Sequence, residues 1–524
     1  MASPDADLVQ EKMRIDWDFA FAKLMVFQSA ATDERPGLCK YWSQRDGWSC
    51  PERSTTPDGL CILHDPNPNK DVNAVIARVN ARLADERENK LRFDGSVFPE
   101  GVSFREFIFR KATSFFEAEF HGKNTSFFGA KFLGETTDFG MCKFLDSIEF
   151  GFCQFRSRFV NFYQAEFHGE KPSFGCARFD CGGTNFGLVK FHQNADFISA
   201  EFYGLRTEFR DCEFHGQAFF TQTQFLCDET SFKAAKFLSQ EPLYFHGARF
   251  KAKTVFEGLE RSQVFLGGPV DFDEVRIDDG GSVIFDSVDL SKTEFLHVDL
   301  SKMKFSDVTW DHRPDHNFWL FQWGRWRSRI YDEALWRAER AKNQVEADEN
   351  YLSDLGRIYR SLEAYYREAG ELGTVAHFHY GVMEVQWYER ERKARTAGSS
   401  DNRMGRLARR LNRLASWESA YRFSCGYGED YARALAVLIV MIVLFGCGYW
   451  FLDTPGIEAT FWGRGINGLL YSIQTSTLGR VELVGHDFAL RLSANLLRLL
   501  ESIVVPVQLG LFAFALRNRF HPSR

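Results

Sequence analysis

The chain of 524 residues lacks an apolar core segment near its start. MASPDADLVQEKMRID is acidic, which argues against a signal peptide and for an N-terminal bulk that stays in the cytosol. A large excess of charge is also missing: the net charge of −7 is modest for this size and predicts no nucleic-acid partner. No nucleophile–base constellation, phosphate-binding glycine loop or open metal site is visible, so the chain reads as non-enzymatic. Eleven cysteines in a cytosolic chain argue for thiols or metal ligands rather than a disulfide framework. Long apolar runs are confined to residues 431–519. Most of the chain is therefore expected to be soluble, with length enough for three or four domains.

Ala432–Leu452 (ARALAVLIVMIVLFGCGYWFL) reads as a helix long enough to cross a bilayer's hydrocarbon, with Arg433 at its edge, and Leu496–Leu516 reads as a second. Between them Phe461–Thr475 is apolar and helix-like but too short to cross, and it ends in Thr475-Ser476-Thr477-Leu478-Gly479. Irregular backbone at membrane depth is tolerated only where protein buries it or it lines water. This order of span, re-entrant helix, Thr-rich turn and span resembles the two-transmembrane ion channel family, whose filter reads T-x-T-T-V/L-G-Y-G-D. The resemblance implies a homotetramer in which backbone carbonyls of Thr475, Ser476, Thr477, Leu478 and Gly479 replace the hydration shell of inorganic ions. Arg480 and Val481 stand where Tyr and Gly would be, so strict potassium selectivity is not expected. Arg480 would set four positive charges at a fourfold mouth. Neutralised by Glu482 or Asp487 they leave a weakly selective cation path; otherwise an anion path or a closed pore follows. In the second span Arg498 and Glu501, three apart, are expected to pair with each other or with the re-entrant helix, bracing the filter. Pro506 is expected to kink the span about midway, for gating or for packing. Arg403, Arg406, Arg409, Arg410, Arg413, Arg422 and Arg433 before the first span, and Arg517, Arg519 and Arg524 after the second, place both ends in the cytoplasm of a multi-pass inner-membrane protein.

From Phe104 the chain repeats. Phenylalanines come in pairs five apart, from Phe115 and Phe120, Phe127 and Phe132, and Phe139 and Phe144 through to Phe245 and Phe250. Two residues before each second member sits a small residue, such as Ala118, Ala130, Cys142, Cys153, Ala165, Cys212 or Thr223. Strict fives return at Phe285, Leu290, Phe295, Leu300 and Phe305. Neither the helical period nor strand alternation produces fives, whereas a square coil with one inward residue per face does. The pattern resembles the pentapeptide-repeat family. The resemblance implies a right-handed quadrilateral β-helix with stacked phenylalanines inside, about nine coils and roughly 40 Å long at β-strand spacing. Mixed charge before the second phenylalanines (Glu119, Lys131, Lys143, Glu166, Arg178, Lys190) argues against the DNA mimicry of some family members. Cys142, Cys153 and Cys212 read as structural, and His121, His168 and His215 as surface repeats rather than ligands.

Upstream, Trp17 to Phe27 suggests one short helix. Cys39, Cys50, Cys61 and His64 offer four ligands for a closed, structural zinc site in a stretch with little other means of forming a core. The alternative is three reduced cysteines and a loop histidine. Val72–Arg92 reads as a polar helix. After Trp310, segments 332–358 and 361–395 read as helices punctuated by Gly370 and Gly373, resembling one tetratricopeptide-type hairpin. His377 and His379 do not share a helix face, so core or surface roles are preferred. Residues 396–402 are a flexible break, and Arg403–Trp417 an amphipathic segment for the lipid surface.

The expected architecture is mixed and multidomain: residues 1–92 with the knuckle at 39–64, a β-helix at 93–309, a helical hairpin at 318–395, a linker with an interfacial helix at 396–430, and a two-span pore domain at 431–524. The expected function is an ion channel with the β-helix as a cytosolic sensor or docking arm for a protein partner. The alternative is a membrane-anchored scaffold without conduction, and a third reading is an effector that opens a lethal pore.

Overall fold

The computed structural model describes residues 36–123, 125–259, 264–314, 326–341, 349–396, 417–451, 468–470, 472–473 and 488–520. It divides into two compact units, Met1–Trp310 and Asp311–Arg524.

The first unit is a parallel β-solenoid of about nine turns. Strands of two to five residues, each hydrogen-bonded to its counterpart a coil away, build sheets of ten, seven, eight and five strands. The register explains the sequence pattern. Phe98, Phe120, Phe144, Phe167, Phe191, Phe214 and Phe237 are successive partners in one column. Because parallel strands sit about 4.8 Å apart, rings at matching positions stack nearly in contact. Phe144 and Phe167 lie 4.6 Å apart with planes 14° from parallel. Neighbouring columns meet edge to face, as in Phe162 against Phe174 at 5.5 Å and 90°. Each ring thus combines offset stacking along the axis with edge contacts across it, the two arrangements that aromatic quadrupoles favour.

The small residue of each repeat is buried beside these rings, Ala118, Cys142, Ala165 and Cys212 all at 0% exposure. Where it is polar it donates to the carbonyl of a phenylalanine in the preceding coil: Cys142 to Phe115 at 2.9 Å, Cys212 to Phe186 at 2.7 Å, Thr223 to Phe197 at 2.7 Å. Burial pushes the Cys142, Cys153 and Cys212 thiols up, so they stay protonated and structural.

The coil turns at residues that sequence alone did not mark. Ala118 N–H donates to Phe115 O at 2.9 Å across a tight turn whose third residue, Glu117, has φ 57°. The equivalent Met141, Gln164, Leu188 and Asp211 are also left-handed and not glycine. Such backbone costs on the order of 1–2 kcal/mol per residue outside glycine. It persists because the inward phenylalanines on either side fix the chain's path.

At the N-terminal end helix α1 (Val72–Ala84) begins where Asp71 accepts from Asn73 N–H. The expected helix to Arg92 is shorter, because an Asx turn from Asp85 to Arg87 N–H ends it. Lys90–Arg92 is already the first solenoid strand, paired with Ala112–Ser114. Leu91 and Phe93 face inward on strand alternation, a two-residue period that polar neighbours hid. Arg82 of α1 lies over the Phe93 ring at 5.7 Å, covering the free end of the aromatic stack. Trp310, against Phe305 at 5.5 Å and Phe295 at 6.1 Å, closes the other end.

In the second unit, strands Asp311–Pro314 and Trp326–Arg329 pair antiparallel. Then come α2 (Tyr331–Ala341), α3 (Glu349–Glu368), α4 (Leu372–Thr396), α5 (Trp417–Cys425), α6 (Tyr431–Phe451) and α7 (Phe488–Phe520). Helices α3 and α4 form the expected hairpin. Only Gly370, at φ 78°, breaks the chain there, whereas Gly373 lies within α4. Tyr366 stacks on Phe378 at 5.4 Å, and Tyr359 lies so close to Gly381 that a Cβ there would meet it at 2.4 Å. The readings at 17–27, at 403–416 and at the filter, Thr475, Ser476, Thr477, Leu478, Gly479, Arg480 and Glu482, lie outside the described residues.

Candidate metal centre and membrane module

Cys39, Cys50, Cys61 and His64 are all buried, and their ligand atoms lie within 4.8 Å of one another. Two antiparallel bridges, Leu38 with Arg53 and Trp42 with Ser49, fold the first two cysteines together. A turn at Cys61–His64, closed by His64 N–H to Cys61 O at 3.0 Å, supplies the other two ligands. The sulfurs of Cys50 and Cys61 are 3.9 Å apart, and His64 Nδ1 is 3.4 Å from Cys39 Sγ and 3.1 Å from Cys61 Sγ. A zinc tetrahedron with 2.3 Å Zn–S and 2.0–2.1 Å Zn–N bonds has edges of about 3.8 Å between sulfurs and about 3.5 Å from sulfur to nitrogen. The cluster has those dimensions.

The surroundings orient the ligands as a structural metal requires. His64 Nε2 lies 2.9 Å from the Asp94 carbonyl, to which it donates, and this leaves Nδ1 free to ligate. Tyr41 stacks on the imidazole at 4.0 Å and 8°. Hydrogen bonds from Cys50 and Cys61 hold the Cys39 thiol far below its usual value. Burial opposes a charged His64, but hydrogen bonds to Cys39 and Cys61 outweigh it and raise its pKa to about 9, so a metal that binds Nδ1 has to displace a proton. Arg82, 2.8 Å from Glu52, also approaches Cys50 Sγ at 3.6 Å, so the helix that caps the solenoid is tied to the cluster.

In the second unit α6 and α7 contain two stretches long and apolar enough to cross a membrane, Tyr431–Trp450 and Leu496–Arg517, with few of their residues buried. Leu444, Leu499, Leu500 and Ile503 stand more than half exposed. Within this apolar pair lies one buried carboxylate, Glu501, at 0% exposure. The Tyr449 hydroxyl of α6 donates to it at 2.6 Å, and the Ser472 hydroxyl also donates to it. Ser472 lies 3.1 Å from the Ile442 carbonyl as well. Of the two alternatives for Glu501, the contact to the segment between the spans is thus present. Arg498 is half-buried, and α7 runs on through Pro506.

Glycines let that segment come close. A Cβ on Gly446 would sit 3.1 Å from Leu469 Cα, and one on Gly468 would sit 2.6 Å from Gly446 O. Sequence reasoning missed Tyr449, Ser472 and Gln508, whose side-chain amide donates to Ala434 O at 2.9 Å across α6 and α7. A polar residue in an apolar span was the available signal.

The hairpin is joined to the first span through buried charge. Glu384 of α4 accepts from Arg422 of α5 at 2.7 and 2.9 Å, with the guanidinium over Trp387 at 4.2 Å. The α5–α6 turn is tight: Gly428, at φ 85°, leaves room for Phe514 of α7, which a Cβ would approach to 2.6 Å. Nearby, Glu333 meets Arg327 and Arg337, each at 2.6 Å, and Tyr359. His377 bonds Ser328 at 3.1 Å and His379 bonds Glu363 at 3.2 Å.

Comparison with family models, curated proteins and solved structures finds no match to the chain. The solenoid, with its phenylalanines every five residues in register, fits a pentapeptide repeat.

Proposed function

We propose that the chain is an ion channel of the inner membrane, built as a homotetramer from the two spans and the segment between them. In this reading the solenoid is a cytosolic sensor or docking arm for a protein partner, and Cys39, Cys50, Cys61 and His64 hold one structural zinc. The observation that carries the channel reading is the contact of Ser472 with Glu501 and with the Ile442 carbonyl. A carboxylate inside an apolar helix pair is expensive, and two anchoring spans have no need of one. Satisfied by α6 and by the intervening segment together, Glu501 ties that segment to the level of the spans, where a pore helix belongs. The hairpin-to-span ion pair, Glu384 with Arg422, gives the cytosolic part a rigid grip on α6 through α5.

The test is conductance of the purified protein in planar bilayers under asymmetric potassium chloride, beside an Arg480→Gly variant. Unitary currents whose reversal potential shifts in the variant support a pore with Arg480 at its mouth, and the sign gives the preferred ion. Silence from both, with intact protein present in the bilayer, replaces the channel by the membrane-anchored scaffold.

A further inference from the structure

Among the described residues, one group of side chains outside the cysteine cluster converges as ligands do. On one face of the solenoid the residue after the second phenylalanine is histidine in three successive coils, His168, His192 and His215. Their preceding residues Phe167, Phe191 and Phe214 are in register, so the imidazoles rise one above another. His168 and His192 stack at 4.2 Å with planes 11° apart, and His192 and His215 at 5.6 Å and 8°. Glu166, two residues before His168, brings its carboxylate to 3.3 Å from His168 Nε2. Ligand atoms of Glu166, His168 and His192 all lie within 4.8 Å of one another.

We propose that Glu166, His168 and His192 form a second metal site, which takes a divalent first-row transition ion. Two imidazoles and a carboxylate suit zinc and its neighbours in that row rather than magnesium or calcium, and they leave open positions for water. One feature favours an ion over three idle surface histidines. His192 Nε2 is buried and has no hydrogen-bond partner, a costly state that a cation satisfies. The β-ladder sets the rings one coil apart, and because they stack face to face one imidazole has to turn out of the stack for both nitrogens to reach the same ion. The chain's own repeat hides the site, since each histidine taken singly is a surface position.

The experiment is zinc content of the full-length protein after equilibrium dialysis at low micromolar zinc, comparing wild type with a His168→Ala/His192→Ala double variant. The expected result is one fewer zinc per chain in the variant, with unchanged far-UV circular dichroism. Since the readout is a difference, it holds whether or not the cysteine cluster is loaded. Glu166→Gln is expected to weaken the same equivalent at least about tenfold in calorimetric titration. His215→Ala is expected to leave it in place. Equal zinc content in wild type and double variant, or equal loss on removing His215 alone, overturns the proposal.

Discussion

Stripping the proposed zinc from the cysteine cluster is expected to open the solenoid from its N-terminal end and nowhere else. The knuckle and α1 cover that end through polar, cation–π and ion-pair contacts, Arg45 with Asp138 and Arg92 with Asp46 among them. Leu63 O accepts from Val97 N–H at 2.8 Å, Arg82 lies over the Phe93 ring at 5.7 Å, and Arg45 lies over the Phe116 ring at 4.7 Å. Between residues 36 and 71 the buried apolar side chains are Leu63 and the three cysteines, so the proposed zinc would supply most of the order there. Structural zinc binds finger peptides with about 10–16 kcal/mol at pH 7. Free zinc a thousand-fold above its Kd stabilises the bound form by about 4.1 kcal/mol, the increment that chelation removes. A coil touches only its neighbours, so the loss should fade within the first coils. Hydrogen exchange of the full chain in detergent, zinc-replete against chelated, reads this directly. Peptides covering 38–64 and 91–120 should lose protection while those covering 186–232 keep it, and Cys61→Ser should reproduce the pattern. Unchanged protection at 91–120, or an even loss along the solenoid, refutes the idea that the metal site caps the stack.

Phe186 stacks on Phe162 at 4.9 Å and on Phe209 at 5.0 Å, with edge contacts to Phe174 and Phe197. Phe186→Ala should cost about 3–5 kcal/mol of the solenoid's unfolding free energy in denaturant titration, and Phe93→Ala, at the end of the stack, clearly less. Burial works to raise the Glu333 carboxyl, but Arg327, Arg337 and Arg329 outweigh it and hold its pKa at about 2 against an ordinary 4.5. Its folded value is depressed, so its contribution, on the order of 3 kcal/mol, is present above pH 4.5 and lost as pH falls toward 2. Glu333→Gln should remove the pH dependence of helical-unit unfolding in that window. It should also destabilise the unit by about 3–5 kcal/mol at pH 7, because it leaves buried guanidiniums without their anion. Circular dichroism against pH checks both.

The repeat was legible because a solenoid writes its fold locally. Each face needs one large inward residue and one small neighbour, and a period of five follows whatever the distant sequence does. The apolar runs of α6 and α7 were legible for a similar reason, since length and composition alone decide whether a helix can cross hydrocarbon. The cysteine cluster was half legible: Cys39, Cys50, Cys61 and His64 are the right ligand types, but their ten-residue gaps left the geometry to the fold. Only tertiary structure decided which long-range partners meet. The left-handed corners at Glu117 or Leu188 carry no glycine, because the inward rings and not the local residue set the backbone there. The turn of Lys90–Arg92 from expected helix to strand was settled by pairing with Ala112–Ser114, twenty-two residues on. Glu501 with Tyr449 and Ser472, Glu384 with Arg422, and the rise of His168 over His192 all join residues far apart in sequence. Local sequence fixes periods and compositions, while partners are chosen by the three-dimensional path that those periods jointly allow.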